Sequence, residues 1–179
     1  MKNIKITFYR SLFKAIAMPL ISTVSITLVY IVVMSSINHN NTLFGYCILF
    51  FALIKTYIIA LVTFKHLSKL VKECYSFERL FAVFGLLIII TILSFATDYS
   101  CLFEYQQSAF SGLSNHSFSY LKEVPDFIYF SITTFATVGY GDIIPVSSIA
   151  KILVTLEIFL SFLIIVFALA NINKIHIKK

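Results

Sequence analysis

The feature that most constrains this chain is a series of apolar runs with few charged residues, each close to twenty residues long. They cover residues 15–37, 43–64, 80–99 and 147–171. A helix needs about 20 apolar residues to cross the ~30 Å hydrocarbon core of a membrane. Charged residues make up 12% of the chain, whereas a soluble domain carries about 25%. The sequence therefore excludes a water-soluble globule and predicts an all-α membrane protein with four transmembrane helices.

A fifth apolar segment, residues 125–136, is too short to cross the membrane. A helix that ends at membrane depth must be surrounded by protein, so this segment predicts a re-entrant helix. Pro125 and Asp126 suit its start. A proline there lacks an N–H that would be unpaired anyway, and an aspartate complements the positive end of the helix dipole.

Basic residues predict the orientation of the spans. They lie between the second and third runs and after the fourth, at Lys65, Lys69, Lys72, Arg79, Lys174, Lys178 and Lys179. The positive-inside rule places these segments and both termini in the cytoplasm, for a multi-pass protein of a plasma or bacterial inner membrane. The basic residues flank spans rather than form a soluble patch, so no nucleic-acid partner is expected. The first run lacks a signal-peptide cleavage pattern and is predicted to be retained.

The re-entrant segment leads into a polar and glycine-containing run, Thr133-Thr134-Phe135-Ala136-Thr137-Val138-Gly139-Tyr140-Gly141-Asp142. Residues 137–142 read TVGYGD, and this run resembles the pore signature of potassium channels without a substitution. It lies between a short apolar helix and a full span, on the side that the charges mark as external. The structural alternative is that the glycines only form a tight turn, and the position of the motif disfavours it.

The chemistry of this motif follows from how a cation loses its water. Neutral carbonyl oxygens replace the hydration shell without holding the ion too tightly to leave. Successive carbonyls face one axis if the backbone alternates between negative and positive φ, which glycine adopts without a Cβ penalty. The Val138 and Tyr140 side chains must then point away from the axis and brace the strand from behind. Five residues are predicted to bind K+: Thr137, Val138, Gly139, Tyr140 and Gly141.

One strand cannot surround an ion, and the chain holds one such motif. Closing the ring therefore requires several copies in a cyclic assembly. The resemblance implies a homotetramer around a central pore, so the expected partners are three identical subunits, K+ and membrane lipid. K+ is expected as the permeant ion and the only metal, with no cofactor. The C-terminal end of the re-entrant helix, near Ala136, adds partial negative charge that favours a cation.

The resemblance covers residues 80–171 and implies a pore module at 79–171. Its inner helix, at Thr155-Leu156-Glu157-Ile158-Phe159, looks like that of prokaryotic inward-rectifier-type and other small bacterial channels. The first two spans lack the regularly spaced arginines of a voltage sensor. The expected parts are an N-terminal membrane region with two spans and a cytoplasmic loop (1–78), an outer span (80–99), an extracellular loop (100–124), a pore helix (125–136), a filter (137–142), an inner helix (147–171) and a short basic cytoplasmic tail (172–179).

Five residues are expected to support the filter: Asp142, Thr133, Thr134, Tyr129 and Phe130. Some depart from the family pattern. Thr133 stands where some bacterial channels have a glutamate that pairs with the filter aspartate. Tyr129 and Phe130 replace a tryptophan pair, and Phe130 cannot donate a hydrogen bond, which predicts a less rigid filter.

Two charged residues inside predicted spans are functional candidates because charge is costly there. Glu157 is expected to line the cavity below the filter together with Ser161, and the alternative is a structural hydrogen bond to the pore helix. Lys55, at a similar depth in the second span, could pair with Glu157 or pack against Tyr57.

Cys101, in the expected external loop, could form an intermolecular disulfide or remain a free thiol, which is favoured. The four histidines, His39, His66, His116 and His176, lack the spacing of metal ligands.

The lower half of the fourth span carries an apolar face through Phe162, Ile165 and Leu169. Four copies could form a constriction that closes the pore by dewetting. The alternative is packing against lipid or neighbouring helices. Ser161, at the position where the inner helix often has a hinge glycine, can still bend the helix by bonding a carbonyl one turn back.

The sequence therefore predicts a K+-selective, passive channel. A secondary transporter or potassium-uptake subunit is disfavoured because such proteins carry repeated half-units with paired interrupted helices, and this chain has one re-entrant segment. A non-conducting regulatory subunit is disfavoured by the intact filter residues. An enzyme is not expected, because no set of nucleophile, base and oxyanion donors can be assembled from the few polar residues.

Overall fold

The computed structural model describes residues 17, 19–26, 28–29, 43–67, 77–113 and 120–172. From residue 43 onward, the described residues form four α-helices. They are α1 (Leu43–Leu61), α2 (Phe77–Tyr105), α3 (Tyr120–Phe135) and α4 (Ser148–Ile172). A π-helical turn, Val62–Leu67, continues α1, and a 3₁₀ turn, Gln107–Ala109, follows α2. Two short strands, β1 (Phe110–Ser111) and β2 (Ile144–Pro145), pair antiparallel.

Three helices among these residues are long and apolar enough to cross a membrane. They cover Phe44–Phe64, Phe81–Tyr105 and Ser148–Ala170, and they correspond to the second, third and fourth predicted spans. The prediction of a mainly helical membrane protein is therefore confirmed. Most of the first predicted span, 15–37, lies outside the described residues, and the described part of it is helical. The tail from residue 173 onward and the side chains of all four histidines also lie outside the description.

Two helix ends differ from the predictions. Helix α2 continues past residue 99 to Tyr105. The apolar run ends at residue 99 in the sequence, next to Asp98, but this carboxylate pairs with the Lys55 ammonium inside the protein, so α2 remains buried there. Helix α3 begins at Tyr120, and Pro125 lies inside it. The predicted start at Pro125 is wrong, and the missing proline N–H falls near the beginning of the helix, where it interrupts few backbone hydrogen bonds.

The core lies between α2, α3 and α4, with α1 packed on α2 and α4. Its centre is aromatic: the Tyr99 ring of α2 lies 5.3 Å from that of Phe130 and 6.3 Å from that of Phe127, both on α3. Apolar side chains of α4 close the core from the other side, including Leu153, Leu160 and Ile164. One side of the short helix α3 is therefore packed against α2 and α4. The C-terminal end of α3 leads into residues 136–142.

Candidate functional site

The TVGYGD loop, defined as Thr137–Asp142, begins directly after α3. Backbone hydrogen bonds tie the loop to the last turn of the helix. The Thr137 N–H donates to the Thr134 carbonyl at 3.0 Å, and the Val138 N–H donates to the Thr133 carbonyl at 2.9 Å. The chain therefore reverses at the C-terminal end of α3, and the direction of the helix sets the direction of the loop.

The backbone of the TVGYGD loop has positive φ at every second residue. The values are 56° at Thr137, 57° at Gly139 and 79° at Gly141. Positive φ was expected at the glycines but not at Thr137, where a Cβ makes it unfavourable. The hydrogen bond from the Thr137 N–H to the end of α3 helps to hold this residue in place. The loop thus has the alternating backbone that lets successive carbonyls face one side.

All residues of the loop are exposed in the single chain. Tyr140 is 71% exposed and Val138 is 51% exposed. A hollow of about 380 Å³ lies between the loop and α4, with Thr134, Thr137, Val154 and Ile158 in its wall. The single chain therefore leaves the loop uncovered on the side of the hollow and also leaves two of its large side chains exposed.

Tyr129 of α3 contacts two residues at the outer end of the TVGYGD loop. Its ring stacks on that of Tyr140, with centroids 6.4 Å apart and parallel planes. Its hydroxyl donates a hydrogen bond to the Asp142 carboxylate, and this bond is the main cause that lowers the pKa of Asp142. The backbone N–H of Ile143 donates to the same carboxylate at 3.0 Å. Tyr129 therefore supplies a partner for Asp142, in place of the glutamate that some bacterial channels have at the position of Thr133.

The other expected support residues face inward. The Thr133 hydroxyl donates to the Phe130 carbonyl of its own helix at 2.9 Å, and it does not contact Asp142. Phe130 is buried, and its ring packs on the rings of Tyr99 and Phe110. Thr134 is also buried, at the end of α3. These residues fix the end of the helix rather than the outer end of the loop.

Glu157 does not line a cavity. It is fully buried in the single chain, behind α3. Its two carboxylate oxygens accept hydrogen bonds from the Tyr99 hydroxyl of α2 and the Ser131 hydroxyl of α3, both at 2.5 Å. The expectation that Glu157 lines the cavity is wrong, and the alternative of a hydrogen bond to the pore helix is what the structure shows. This carboxylate joins three helices, which offsets the cost of placing it in the core.

Ser161 is likewise buried, one turn further along α4. Its hydroxyl lies 2.8 Å from the Glu157 carbonyl oxygen and 2.9 Å from that of Ile158. The expectation that Ser161 faces the cavity is wrong, whereas the hydrogen bond to the preceding turn is present. Phe162, Ile165 and Leu169 lie on the exposed face of α4, with 62%, 40% and 60% exposure.

Lys55 pairs with Asp98 and not with Glu157. Its ammonium lies 2.5 Å from Asp98 Oδ1 and 3.2 Å from the Ser94 carbonyl oxygen, and both charged side chains are 1% exposed. The sequence analysis does not predict Asp98 as the partner of Lys55. A lysine inside one apolar run and an aspartate near the end of the next are the signal that could have revealed the pair.

Cys101 is a free thiol and lies in α2, not in an external loop. Its side chain is 1% exposed. The alternative of an intermolecular disulfide is therefore wrong, because the sulfur is not accessible to a second chain.

Comparison with known proteins finds similarity to ion channels in the C-terminal part of the chain. Residues 100–178 match the family described as "Ion channel". The chain is 42% identical over 67 residues to two-pore potassium channel 4 of Arabidopsis thaliana, which covers 37% of this chain and 22% of that protein. It is 42% identical over 53 residues to potassium channel K2 of Plasmodium falciparum, which covers 29% of this chain and 4% of that protein.

The matched part therefore spans less than a quarter of the length of these curated relatives. No solved structure matches the chain. Both relatives are named as potassium channels, one from a plant and one from a protozoan. The family match includes α3, the TVGYGD loop and α4. The similarity to ion channels therefore lies in residues 100–178, which make up less than half of this chain.

Proposed function

We propose that this protein is a K+-selective channel that conducts passively through a pore formed by four copies of the chain. The observation that carries this proposal is the alternation of φ in the TVGYGD loop, at Thr137, Gly139 and Gly141. With this backbone, the carbonyl oxygens of residues 137–141 replace the water of a dehydrating cation on the axis of the assembly. K+ is the permeant ion, and the chemistry needs no other cofactor.

Assembly from several copies is supported by what the single chain leaves uncovered. Val138 and Tyr140 are exposed, and Thr137, Gly139 and Gly141 line the hollow between the loop and α4. In the proposed tetramer, neighbouring subunits cover these surfaces, and α4 and the TVGYGD loop lie at the centre. Helix α1 lies towards lipid, and its exposed aromatic side chains, Tyr46, Phe50 and Tyr57, suit that position.

The end of α3 contributes to the preference for a cation. Its C-terminal carbonyls carry about half a negative charge from the aligned backbone dipoles. Since the chain reverses at Phe135 into the loop, four such ends surround the region just below the loop. The basic segments predict that this region opens towards the cytoplasm, with both termini on that side.

The experiment that tests the proposal is cation flux from liposomes that hold the purified protein. K+ and Rb+ are expected to permeate, while Na+ and Li+ largely do not, because the carbonyl positions suit the larger ions. Empty liposomes are the control. Equal Na+ and K+ flux would remove the claim of selectivity. A mass measurement in detergent that shows only monomers, for a protein that conducts in liposomes, would remove the tetramer.

A constriction at the cytoplasmic end of the pore is part of the proposal. Phe162, Ile165 and Leu169 follow one exposed and apolar face of α4. Four copies of this face exclude water and block hydrated ions, since nothing there replaces the water shell. Changing Ile165 or Leu169 to Asn is therefore expected to raise resting K+ flux, measured in the same liposomes.

Leu53→Asn is the matched control for Leu169→Asn. Leu53 lies on α1 with 46% exposure, away from the TVGYGD loop. A polar residue there is expected to lower the yield of protein without raising flux per assembled channel. Unchanged flux in both α4 variants, with normal assembly, would place the closing point elsewhere.

A further inference from the structure

The segment Ala109–Gly112, here called the outer strap, lies along the chain that follows the TVGYGD loop. Phe110 pairs with Pro145, and Ser111 pairs with Ile144, in the two-stranded ladder of β1 and β2. The Ala109 carbonyl accepts hydrogen bonds from the backbone N–H groups of Val146 at 2.8 Å and Ser147 at 3.2 Å. The strap therefore attaches the end of α2 to the exit of the loop.

The strap is itself anchored to the pore helix by an aromatic side chain. Phe110 is buried, and its ring centroid lies 5.1 Å from that of Phe127 and 5.8 Å from that of Phe130 on α3. On the other side, it lies 5.6 Å from the ring of Tyr99 on α2. Edge-to-face contacts of this kind fix the orientation of the rings as well as bury area. The strap thus has a fixed position relative to α3.

Gly112 brings the strap against the TVGYGD loop. Its φ is +95°, which side chains rarely tolerate. A Cβ at this residue would lie 1.7 Å from the Asp142 carbonyl oxygen, half of the 3.4 Å at which ordinary van der Waals contact begins. The obstructing atoms belong to the backbone, so no rotation of a side chain relieves the contact. Either the strap or Asp142 must move to admit a methyl group.

We propose that Gly112 is a positioning residue for the selectivity filter, and that the outer strap sets the position of Asp142 and hence of the Tyr140 and Gly141 carbonyls. This inference rests on the proposed function. The loop has two attachments on its outer side: Tyr129 holds the Asp142 carboxylate, and Gly112 limits the position of the Asp142 backbone. The inner end of the loop is held by the carbonyls of α3. Displacement at Gly112 changes the spacing between carbonyl rings, and selectivity depends on that spacing.

The test compares Gly112→Ala with Gly85→Ala. A Cβ at Gly85 in α2 meets no atom within 4 Å, so this variant is the matched control. In liposomes with assembled protein, Gly112→Ala is expected to lower the ratio of K+ to Na+ flux by about tenfold or more. A tenfold change corresponds to about 1.4 kcal/mol, and the free-energy cost of a strained backbone conformation is of that size. Gly85→Ala is expected to keep the ratio of the parent.

The flux ratio separates positioning from a merely structural role. A structural role would lower the amount of assembled channel and leave the ratio unchanged, and that result would overturn the inference. A parent protein without K+-selective flux would instead overturn the proposed function. A selective parent together with an unchanged ratio in Gly112→Ala overturns the inference alone.

A second pair of variants applies if Gly112→Ala does not assemble. Phe110→Leu loosens the strap, whereas Phe103→Leu removes a ring that also packs on Phe127, at 5.6 Å, but lies in α2 outside the strap. Both are expected to lower the thermal stability of the assembly. Only Phe110→Leu is expected to lower the K+ to Na+ flux ratio, and equal ratios in the two variants would overturn the inference.

Discussion

Changing Gly139 to Ala is expected to abolish K+-selective flux. Gly139 has a φ of 57°. An alanine in the left-handed region costs roughly 1–2 kcal/mol, and the cost recurs in each of the four proposed copies. A methyl group at Gly139 would meet no atom within 4 Å in the single chain. The expected loss therefore comes from the backbone, which leaves the positive-φ conformation and turns a carbonyl away from the axis.

Gly85→Ala is the matched control for this variant as well. Gly85 lies inside α2 with open space around it, so alanine there should leave flux unchanged and favour the helix slightly. The measurement is K+ and Na+ flux per assembled channel, with assembly followed by mass in detergent. Parent-like K+ selectivity in Gly139→Ala would contradict the assignment of the TVGYGD loop as the filter.

The spans and the alternating loop could be predicted because each has a signal along the sequence. Long apolar runs predict membrane helices, and the glycines at 139 and 141 predict positive φ. Positive φ at Thr137 could not be read in this way. Threonine has no preference for that conformation, and only the hydrogen bond to the end of α3 in the folded chain accounts for it.

Asp98 could not be predicted as the partner of Lys55 because apolar runs alone define the ends of the spans. Asp98 lies at the end of the run 80–99 in the sequence, yet α2 continues past it to Tyr105. With Asp98 inside the protein, Lys55 has a carboxylate at hand, and Glu157 is left to the hydroxyl groups of Tyr99 and Ser131. Which side chains of two helices pair depends on how each helix is rotated about its axis. The sequence of a membrane helix that is apolar on all sides does not reveal that rotation.

The outer strap left no recognisable pattern in the sequence. Its strands have two residues each, too short for any alternation of polar and apolar side chains to be visible. Gly112 looks like an ordinary loop glycine, and its role depends on the approach of Asp142, thirty positions later in the chain. A close contact between two backbones is a property of the folded molecule alone.

The ion pair between Lys55 and Asp98 leads to the second large effect. Both side chains are buried, and they join α1 to α2 with 2.5 Å between the ammonium and the carboxylate. Replacing Lys55 by Met removes the ammonium and leaves a carboxylate in the core without this compensating charge. Breaking a buried pair in this way destabilises a protein by about 3–5 kcal/mol. Lys55→Met is therefore expected to lower the unfolding temperature of the detergent-solubilised protein substantially.

The double variant Lys55→Met with Asp98→Asn is expected to recover most of that loss, since replacing a buried ion pair by neutral groups is often close to neutral in stability. Lys151→Met is the matched control, because Lys151 is exposed on α4 and such changes usually stay within about 0.5 kcal/mol. A Lys55→Met protein as stable as this control would show that the pair adds nothing to the attachment of α1. Recovery in the double variant, together with unchanged K+ to Na+ flux ratios, would instead identify the pair as the link that holds α1 on the pore module without shaping the filter.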